Sequence, residues 1–216
     1  MGVLEFFSKS TKKTFGKGGV HPSEFKELTS RLPIKNYLNP KKVQIHLQQH
    51  IGAPSTPVVK RNDIVKKGQI IAQSAGDGGV PVHSPIYGKV LNVGKANHPS
   101  MVESQAIVIE SLPSPSPKED GSIETTEMDF SENPNWQSLD KPAMLEKIQQ
   151  AGIVGLGGAA FPTHRKLKLP ESAKVDTLVI NGAECEPYLT SDHRMMLEMG
   201  ESILYGTWLM AKIIGV

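Results

Sequence analysis

The sequence predicts two domains, an all-β module followed by the start of an α/β domain. Between residues 43 and 109, short runs of Val and Ile are separated by Gly, Pro, Asn and Asp, which is typical of short strands joined by turns. Residues 113–137 are acidic, rich in Pro and poor in apolar side chains, as in a linker. A helical pattern, a glycine-rich loop and a β-branched run come next. The predicted parts are an N-terminal tail (residues 1–17), a β module (18–112), a linker (113–137) and an α/β part (138–216).

Composition excludes several classes of protein. With 216 residues, 38% of them hydrophobic and 21% charged, the chain resembles an ordinary globular protein. No apolar run is long enough to cross a membrane as a helix. A single cysteine, Cys185, excludes a disulfide framework and any four-cysteine metal or iron-sulfur site built from this chain alone. The Lys and Arg residues are scattered and accompany no nucleic-acid motif, so a nucleic-acid partner is not expected.

Charge is distributed unevenly along the chain. Residues 1–118 hold 16 Lys and Arg against 7 Asp and Glu, whereas residues 119–216 hold 8 against 15. The basic half is either a docking surface for an anionic partner or lipid, or simply a solvated face. The tail combines Leu4, Phe6 and Phe7 with several lysines, which fits either a frayed terminus or a short anchor on a membrane or partner.

The strands of the β module are predicted from its apolar runs. These are Val43–Leu47, Pro57–Val59, Ile70–Ala72, Val80–His83, Lys89–Val93 and Ala106–Ile109. The segments 62–69 and 82–90 resemble the two half-motifs of lipoyl and biotinyl carrier domains, which are barrel-sandwich hybrids. Asp77 and Gly78 stand where those carriers have the modified lysine. We therefore expect this fold to serve structure or docking rather than as a swinging arm.

A helix and a glycine-rich loop follow the predicted linker. The helix should begin near Ser138 or Asp140, with Pro142 in its first turn, and end at Gly152. Residues 155–166 then form a loop whose glycines would let a phosphate or a flat ring approach bare backbone N–H groups. The spacing lacks the P-loop pattern, so on its own the loop is either a ligand site or a plain connection.

A buried parallel strand is predicted over Val175–Ile180, and polar residues follow it. Ligands in open α/β sheets bind beyond the carboxyl ends of strands. Asn181 could present an amide to a heterocycle, and Glu184 and Glu186 could accept hydrogen bonds from ribose hydroxyls; alternatively these residues form a capped turn. A last helix is predicted from about Ser191 to Ile213, with its Met and Trp residues in the core.

Two long motifs make a family resemblance specific. Residues 151–164, AGIVGLGGAAFPTH, and residues 181–194, NGAECEPYLTSDHR, closely resemble the C subunit of the Rnf electron-transport complex. That family is related to the flavin- and NADH-binding 51 kDa subunit of respiratory complex I. The segments GGVHP at 18–22, QHIGAP at 49–54 and VHSP at 82–85 also look like the Rnf C subunit. The resemblance covers roughly residues 16–216.

The resemblance implies a peripheral subunit at the cytoplasmic face of the cell membrane that binds FMN and NAD(H). Such a subunit works with the other Rnf subunits, which pass electrons between NADH and ferredoxin while Na⁺ or H⁺ crosses the membrane. Carried over by motif, the cofactor-binding residues are Gly155, Gly157, Gly158, Ala159, Phe161, Lys166, Asn181, Glu184 and Glu186. Lys166 falls near the FMN, Asn181 at the isoalloxazine edge and Glu184 on the NADH side. No residue of the chain is implied to be catalytic, and no metal ligand is expected.

The chain also departs from the family pattern. Leu156 and Ala160 stand where complex I has Arg and Gly. The rest of the flavin domain and the two four-cysteine motifs that hold [4Fe-4S] clusters are absent, so we expect a fragment that is inactive alone and binds flavin weakly or not at all. The alternative function is a docking or assembly module of a membrane electron-transport complex without catalysis of its own.

Overall fold

A computed structural model describes residues 22–35, 40–76, 78–99, 101–113, 115, 126, 128, 136–156 and 158–216. The tail, nearly all of the predicted linker, Asp77 and Gly157 lie outside the described residues. The chain divides into two compact units. Within the described residues, one unit holds 22–35 and 179–206, and the other holds 40–178 and 207–216.

The larger unit contains the seven strands found among the described residues. They are β1 (Lys42–His46), β2 (Thr56–Pro57), β3 (Ile64–Val65), β4 (Ile70–Gln73), β5 (Val82–His83), β6 (Gly88–Asn97) and β7 (Glu103–Ser111). One antiparallel sheet has the order β1-β7-β6-β3 and the other the order β2-β4-β5. The predicted all-β module is confirmed, because each predicted run contains or overlaps one of these strands.

Alternation along the strands builds the core of the β module. In β7, Ile107 and Ile109 point inward, and both are fully buried. They pack with Val65, Ile71 and Val90 from the other strands. Gly88 begins β6 where no side chain fits, since a Cβ there would collide with the backbone oxygen of Glu110.

The predicted first helix is confirmed as α1 (Lys141–Gln150). Asp140 caps it by accepting a 2.9 Å hydrogen bond from the backbone N–H of Ala143. Gly152 ends it in the left-handed region, at φ 72°. A short helix, α2 (Thr163–Leu167), follows the glycine-rich loop. Met144 of α1 and Leu167 of α2 are buried together with Ile213 in a second apolar cluster.

The prediction of a parallel strand at Val175–Ile180 is wrong. The structure describes these residues throughout and assigns them no strand, and the side chains of Val179 and Ile180 are 77% and 46% exposed. A strand needs a neighbour to satisfy its backbone N–H and C=O groups. Among the described residues, nothing pairs with this run, so its β-branched composition alone does not produce a strand.

The predicted single closing helix is two helices, α3 (Ser191–Glu198) and α4 (Gly200–Ile214). The boundary between the two units falls within α4, after Gly206. Met196, Met199 and Trp208 are each 48% exposed, so the expectation that the Met and Trp side chains lie in a core fails for these three. Among the described helices, none has the length and apolar character that crossing a bilayer requires.

Candidate functional site

The glycine-rich loop is closed at its base by backbone hydrogen bonds. The N–H of Gly155 donates to the carbonyl of Phe161 over 2.8 Å, and the N–H of Thr163 donates to that of Ile153 over 3.1 Å. Val154 and Pro162 form an isolated antiparallel bridge between them. These contacts therefore hold the two ends of the loop together.

Lys166, on α2, lies against this loop. A Cβ added to Gly155 would be 3.1 Å from the Lys166 Nζ, so the ammonium group lies close against the backbone of this glycine. At Gly158 the corresponding Cβ position meets nothing within 4 Å. A positive charge beside open glycine backbone is suited to an anionic group such as a phosphate.

Phe161 is at the surface rather than in the core. Its side chain is 38% exposed, and the guanidinium carbon of Arg165 lies 5.9 Å from the ring centroid. This distance is within the range of a cation–π interaction. Leu156, at the position where complex I has Arg, is 92% exposed at the loop tip.

A cavity of about 390 Å³ adjoins the loop within the larger unit. Its lining residues come from the loop and from the β module: Gln49, His50, Val80, Pro81, Val82, His83, Gly152, Val154, Gly155, Leu156 and Ala160. Ligand cavities in proteins commonly measure about 300 to 1,000 Å³. The volume is therefore sufficient for a flat ring system.

The polar segment after residue 180 lies in the smaller unit and forms a tight turn. The Asn181 side-chain oxygen accepts a 2.9 Å hydrogen bond from the backbone N–H of Ala183. Glu184 caps α3, since its Oε1 accepts from the Ser191 hydroxyl over 3.1 Å and from the Asp192 N–H over 2.9 Å. The capped-turn alternative thus describes the contacts that Asn181 and Glu184 make within the chain.

The surroundings of Glu184 lower its pKa. Burial favours the protonated form and opposes this direction, but the N–H groups of Asp192 and His193 and the Ser191 hydroxyl favour the charged form. The positive charge of Lys26 acts in the same direction as these hydrogen bonds. Glu184 therefore carries its negative charge at neutral pH.

The chain near its N-terminus holds this turn in place. Lys26 Nζ donates to the carbonyl of Leu189 over 2.9 Å and to that of Glu186 over 3.4 Å. The Thr29 hydroxyl donates to the carbonyl of Tyr188 over 2.9 Å. The ring of Tyr188 also stacks on Phe25, with the centroids 5.0 Å apart. Residues 181–190 are thus ordered by contacts with a segment about 160 positions earlier.

The residues of the predicted site are divided between the two units. Gly155, Gly158, Ala159, Phe161 and Lys166 belong to the larger unit, and Asn181, Glu184 and Glu186 belong to the smaller one. Gly157 lies outside the described residues.

Sequence reasoning assigned no role to Lys26 or Thr29, nor to Gln49, His50 and His83 of the β module. Gln49 and His50 lie in the QHIGAP segment and His83 lies in the VHSP segment, both of which resemble the family. The spacing of residues within these segments did not indicate a chemical role.

Family models match two parts of the chain. Residues 13–112 match the RnfC barrel sandwich hybrid domain, and residues 148–216 match the Nuo51 FMN-binding domain. These matches confirm the predicted fold class, a barrel-sandwich hybrid followed by the start of an FMN-binding α/β domain.

The chain is similar to proteins that are named as C subunits of ion-translocating oxidoreductase complexes. The chain is 44% identical over 200 residues to the C subunit of the proton-translocating ferredoxin:NAD(+) oxidoreductase complex of Clostridium ljungdahlii, covering 93% of this chain and 42% of the relative. It is 42% identical to the Na(+)-translocating counterpart of Acetobacterium woodii, with 93% and 43% covered. It is 36% identical to the C subunit of the ion-translocating oxidoreductase complex of Haemophilus influenzae, with 98% and 31% covered. The chain thus spans less than half the length of these relatives.

Proposed function

Because the chain belongs to the family of Rnf complex C subunits, we propose that it is part of the FMN- and NADH-binding subunit of an ion-translocating ferredoxin:NAD⁺ oxidoreductase. The subunit takes part in electron transfer between NAD(H) and ferredoxin, with the other Rnf subunits as its partners. It associates peripherally with the cytoplasmic face of the membrane. The proposed parts are a tail at 1–17, a barrel module at 18–112, a linker at 113–137 and a flavin domain from 138.

One observation carries this proposal, the Lys166 ammonium group beside the open backbone of the glycine-rich loop. A Cβ on Gly155 would lie 3.1 Å from Lys166 Nζ, so the ammonium group lies directly against the glycine backbone. Gly158 has open surroundings, and Gly155, which contacts Lys166, lines the adjoining cavity of about 390 Å³, where a flat ring has room. These features fit FMN, which has one anionic phosphate and one planar ring system.

Each residue then has a proposed task. Lys166 binds the phosphate, and the backbone at Gly155, Gly157, Gly158 and Ala159 lines the ring. Phe161 contributes apolar surface at the entrance. Asn181 contacts the ring edge, while Glu184 and Glu186 accept hydrogen bonds from NADH. When bound, FMN supplies the step between two-electron and one-electron chemistry, and the protein supplies binding and orientation.

The residues of this chain do not fit the two [4Fe-4S] clusters that the family resemblance implies. A [4Fe-4S] cluster is normally held by four cysteine thiolates, and Cys185 is the single cysteine of the sequence. Among the described residues, no group of three or more His, Cys, Asp and Glu side chains is placed to hold a metal ion. No step of the proposed function is therefore assigned to a cluster within these residues.

An FMN fluorescence-quench titration tests the flavin assignment. It compares this chain with a fusion of the chain to the C-terminal part of the Clostridium ljungdahlii relative that it does not cover. We expect saturable binding by the fusion and weak or no binding by the chain alone. If both proteins are folded and neither binds FMN, the cofactor assignment is wrong.

The phosphate contact is tested by Lys166→Ala in the form that binds FMN. Loss of a hydrogen bond to a charged group costs about 1.5 to 3 kcal/mol, so we expect the FMN Kd to rise by about 10- to 150-fold. Binding of riboflavin, which has no phosphate, should change little. Lys174→Ala, at another exposed lysine, is the control. An unchanged FMN Kd in Lys166→Ala would contradict the assignment.

The docking function remains the alternative, supported by the excess of basic residues before position 119. It predicts that deleting residues 1–17 weakens assembly with the other subunits, measured by co-purification. It also predicts no effect of Lys166→Ala on any property of the protein. The two functions are compatible in one subunit, and the two variants separate their contributions.

A further inference from the structure

The cavity beside the glycine-rich loop has a second wall, which the β module supplies. Gln49, His50 and His83 line it together with the backbone around Pro81. These residues come from the QHIGAP and VHSP segments, to which the proposed function gives no task. Both walls lie in the larger unit.

Direct contacts hold this wall against the loop. The N–H of Ile51 donates to the carbonyl of Ala159 over 3.2 Å, and the Gln149 side-chain amide donates to the carbonyl of Gly79 over 3.0 Å. The packing is close enough that a Cβ at Gly152 would lie 3.0 Å from the Pro81 oxygen. Gly152 also has φ 72°, so both its conformation and its surroundings require glycine.

His50 stiffens the wall from inside the β module. Its side chain is 7% exposed, and its Nδ1 lies 3.0 Å from the carbonyl oxygen of Ile51. Because a carbonyl only accepts, Nδ1 carries the proton, and Nε2 accepts from the N–H of Val80 over 3.4 Å. The His50 ring thus connects Val80 to Ile51, whose own N–H donates to Ala159.

His83 lines the same cavity. Burial lowers its pKa, and a hydrogen bond to the backbone carbonyl of Gln150 partly offsets this, so the ring is neutral at pH 7. A neutral imidazole that donates from one nitrogen has an acceptor at the other. Gln49 also combines a donor that is used within the chain with an acceptor. Its amide N–H₂ donates to the His46 carbonyl over 2.8 Å, and its side-chain oxygen is an acceptor.

We infer that the β module forms part of the ligand site, with His83 accepting a hydrogen bond from an N–H of the ring that binds on the glycine-rich loop. This inference rests on the proposed function and adds a residue that sets its specificity. Acceptor atoms on His83 and Gln49 suit a planar heterocycle that carries an imide or carboxamide N–H. The flavin ring has such a group at N3, and nicotinamide has one in its carboxamide.

The test pairs a protein variant with a ligand variant, in the FMN-binding form of the protein. His83→Leu removes the acceptor, His83→Gln restores one, and 3-methyl-FMN lacks the imide N–H. We expect His83→Leu to raise the FMN Kd by about tenfold, the magnitude of one hydrogen bond, and to leave the Kd of 3-methyl-FMN unchanged. His83→Gln should recover part of the loss. Gln105→Leu, at an exposed residue of β7 outside the cavity, is the matched control.

A parallel titration with NADH identifies the ring. A loss confined to FMN assigns the flavin, and a loss confined to NADH assigns the nicotinamide; either supports the inference. Wild-type affinity of His83→Leu for both ligands overturns it, as does an equal loss for FMN and 3-methyl-FMN.

If His83→Leu does not fold by circular dichroism, the wild-type protein decides. The wild-type affinity for each ligand is compared with its affinity for the analogue that lacks the N–H, which is 3-methyl-FMN for FMN and the N,N-dimethylamide for NADH. If the two affinities are equal in both pairs, the inference is overturned. Failure of the folded wild-type fusion protein to bind either FMN or NADH refutes the proposed function itself. Binding by the wild type that His83→Leu leaves unchanged refutes this inference alone.

Discussion

Strand β7 and the run Val175–Ile180 have similar β-branched sequences but different structures. In β7, Ile107 and Ile109 are fully buried, and the strand pairs with β1 on one side and β6 on the other. In the second run, Val179 is 77% exposed and no strand forms. The difference shows that β propensity produces a strand only where neighbouring strands complete the hydrogen bonds and an apolar layer covers the side chains.

The largest expected effect comes from truncating a side chain in each region. Ile107→Ala should lower the free energy of unfolding by about 2 to 5 kcal/mol, since it leaves a cavity in a closed core. Val179→Ala should change it by no more than about 0.5 kcal/mol, because that side chain is already in solvent. Urea denaturation followed by circular dichroism measures both.

Equal losses for the two variants would mean that Val179 is buried in solution, and the contrast between the two regions would disappear. The same experiment on the fusion protein sharpens the comparison. If the added residues cover this run, Val179→Ala should become destabilising there while the effect of Ile107→Ala stays the same.

A smaller effect is expected at an element whose structure is local. Asp140→Ala removes the cap of α1 and should cost about 1 kcal/mol of unfolding free energy. Asp140→Asn, which retains an accepting oxygen, should cost less. A loss as large as that of Ile107→Ala would show that α1 depends on Asp140 for more than its capping hydrogen bond.

The smallest effect concerns the turn that follows Val175–Ile180. The pKa of Glu184 is lowered in the folded protein, so its stabilising contribution is present above the ordinary value of 4.5 and is lost as pH falls through the lower folded value. Glu184→Gln should therefore destabilise the protein at pH 7 and reduce the fall in stability between about pH 5 and pH 3. Denaturation curves across that range measure the difference.

A substitution of Lys26 tests what lowers the pKa of Glu184. Lys26→Met removes a positive charge that acts on Glu184 and two hydrogen bonds to the turn, so the Glu184 pKa should rise toward 4.5. A carbon-detected NMR titration of the side-chain carboxyl groups follows this directly. A pKa that does not move would mean that the helix-capping hydrogen bonds alone set its value.

The contrast between the two regions also explains which features could be predicted from the sequence. The strands of the β module follow from short apolar runs between turn residues, and α1 follows from Asp140, Pro142 and Gly152. The motifs around Gly155 and Asn181 identified the family because their residue order is specific. Each of these signals is contained within about 15 consecutive residues.

The remaining features depend on residues far apart in the chain. The strand predicted at Val175–Ile180 failed because its pattern says nothing about whether partner strands exist. Lys26 donates hydrogen bonds to the carbonyl groups of residues 186 and 189, up to 163 positions later. The cavity wall that contains His50 and His83 contacts the loop at Ala159, which follows His83 by 76 positions.

By itself, the sequence determined the fold class, the family and the glycine-rich loop, because periodicity, caps and motif order are local properties. Only the tertiary structure decided that Lys166 Nζ lies beside Gly155, that Glu184 caps α3, and that the β module lines the cavity at the loop. Those positions result from packing and from the satisfaction of buried polar groups, which depend on distances in space that no local pattern contains.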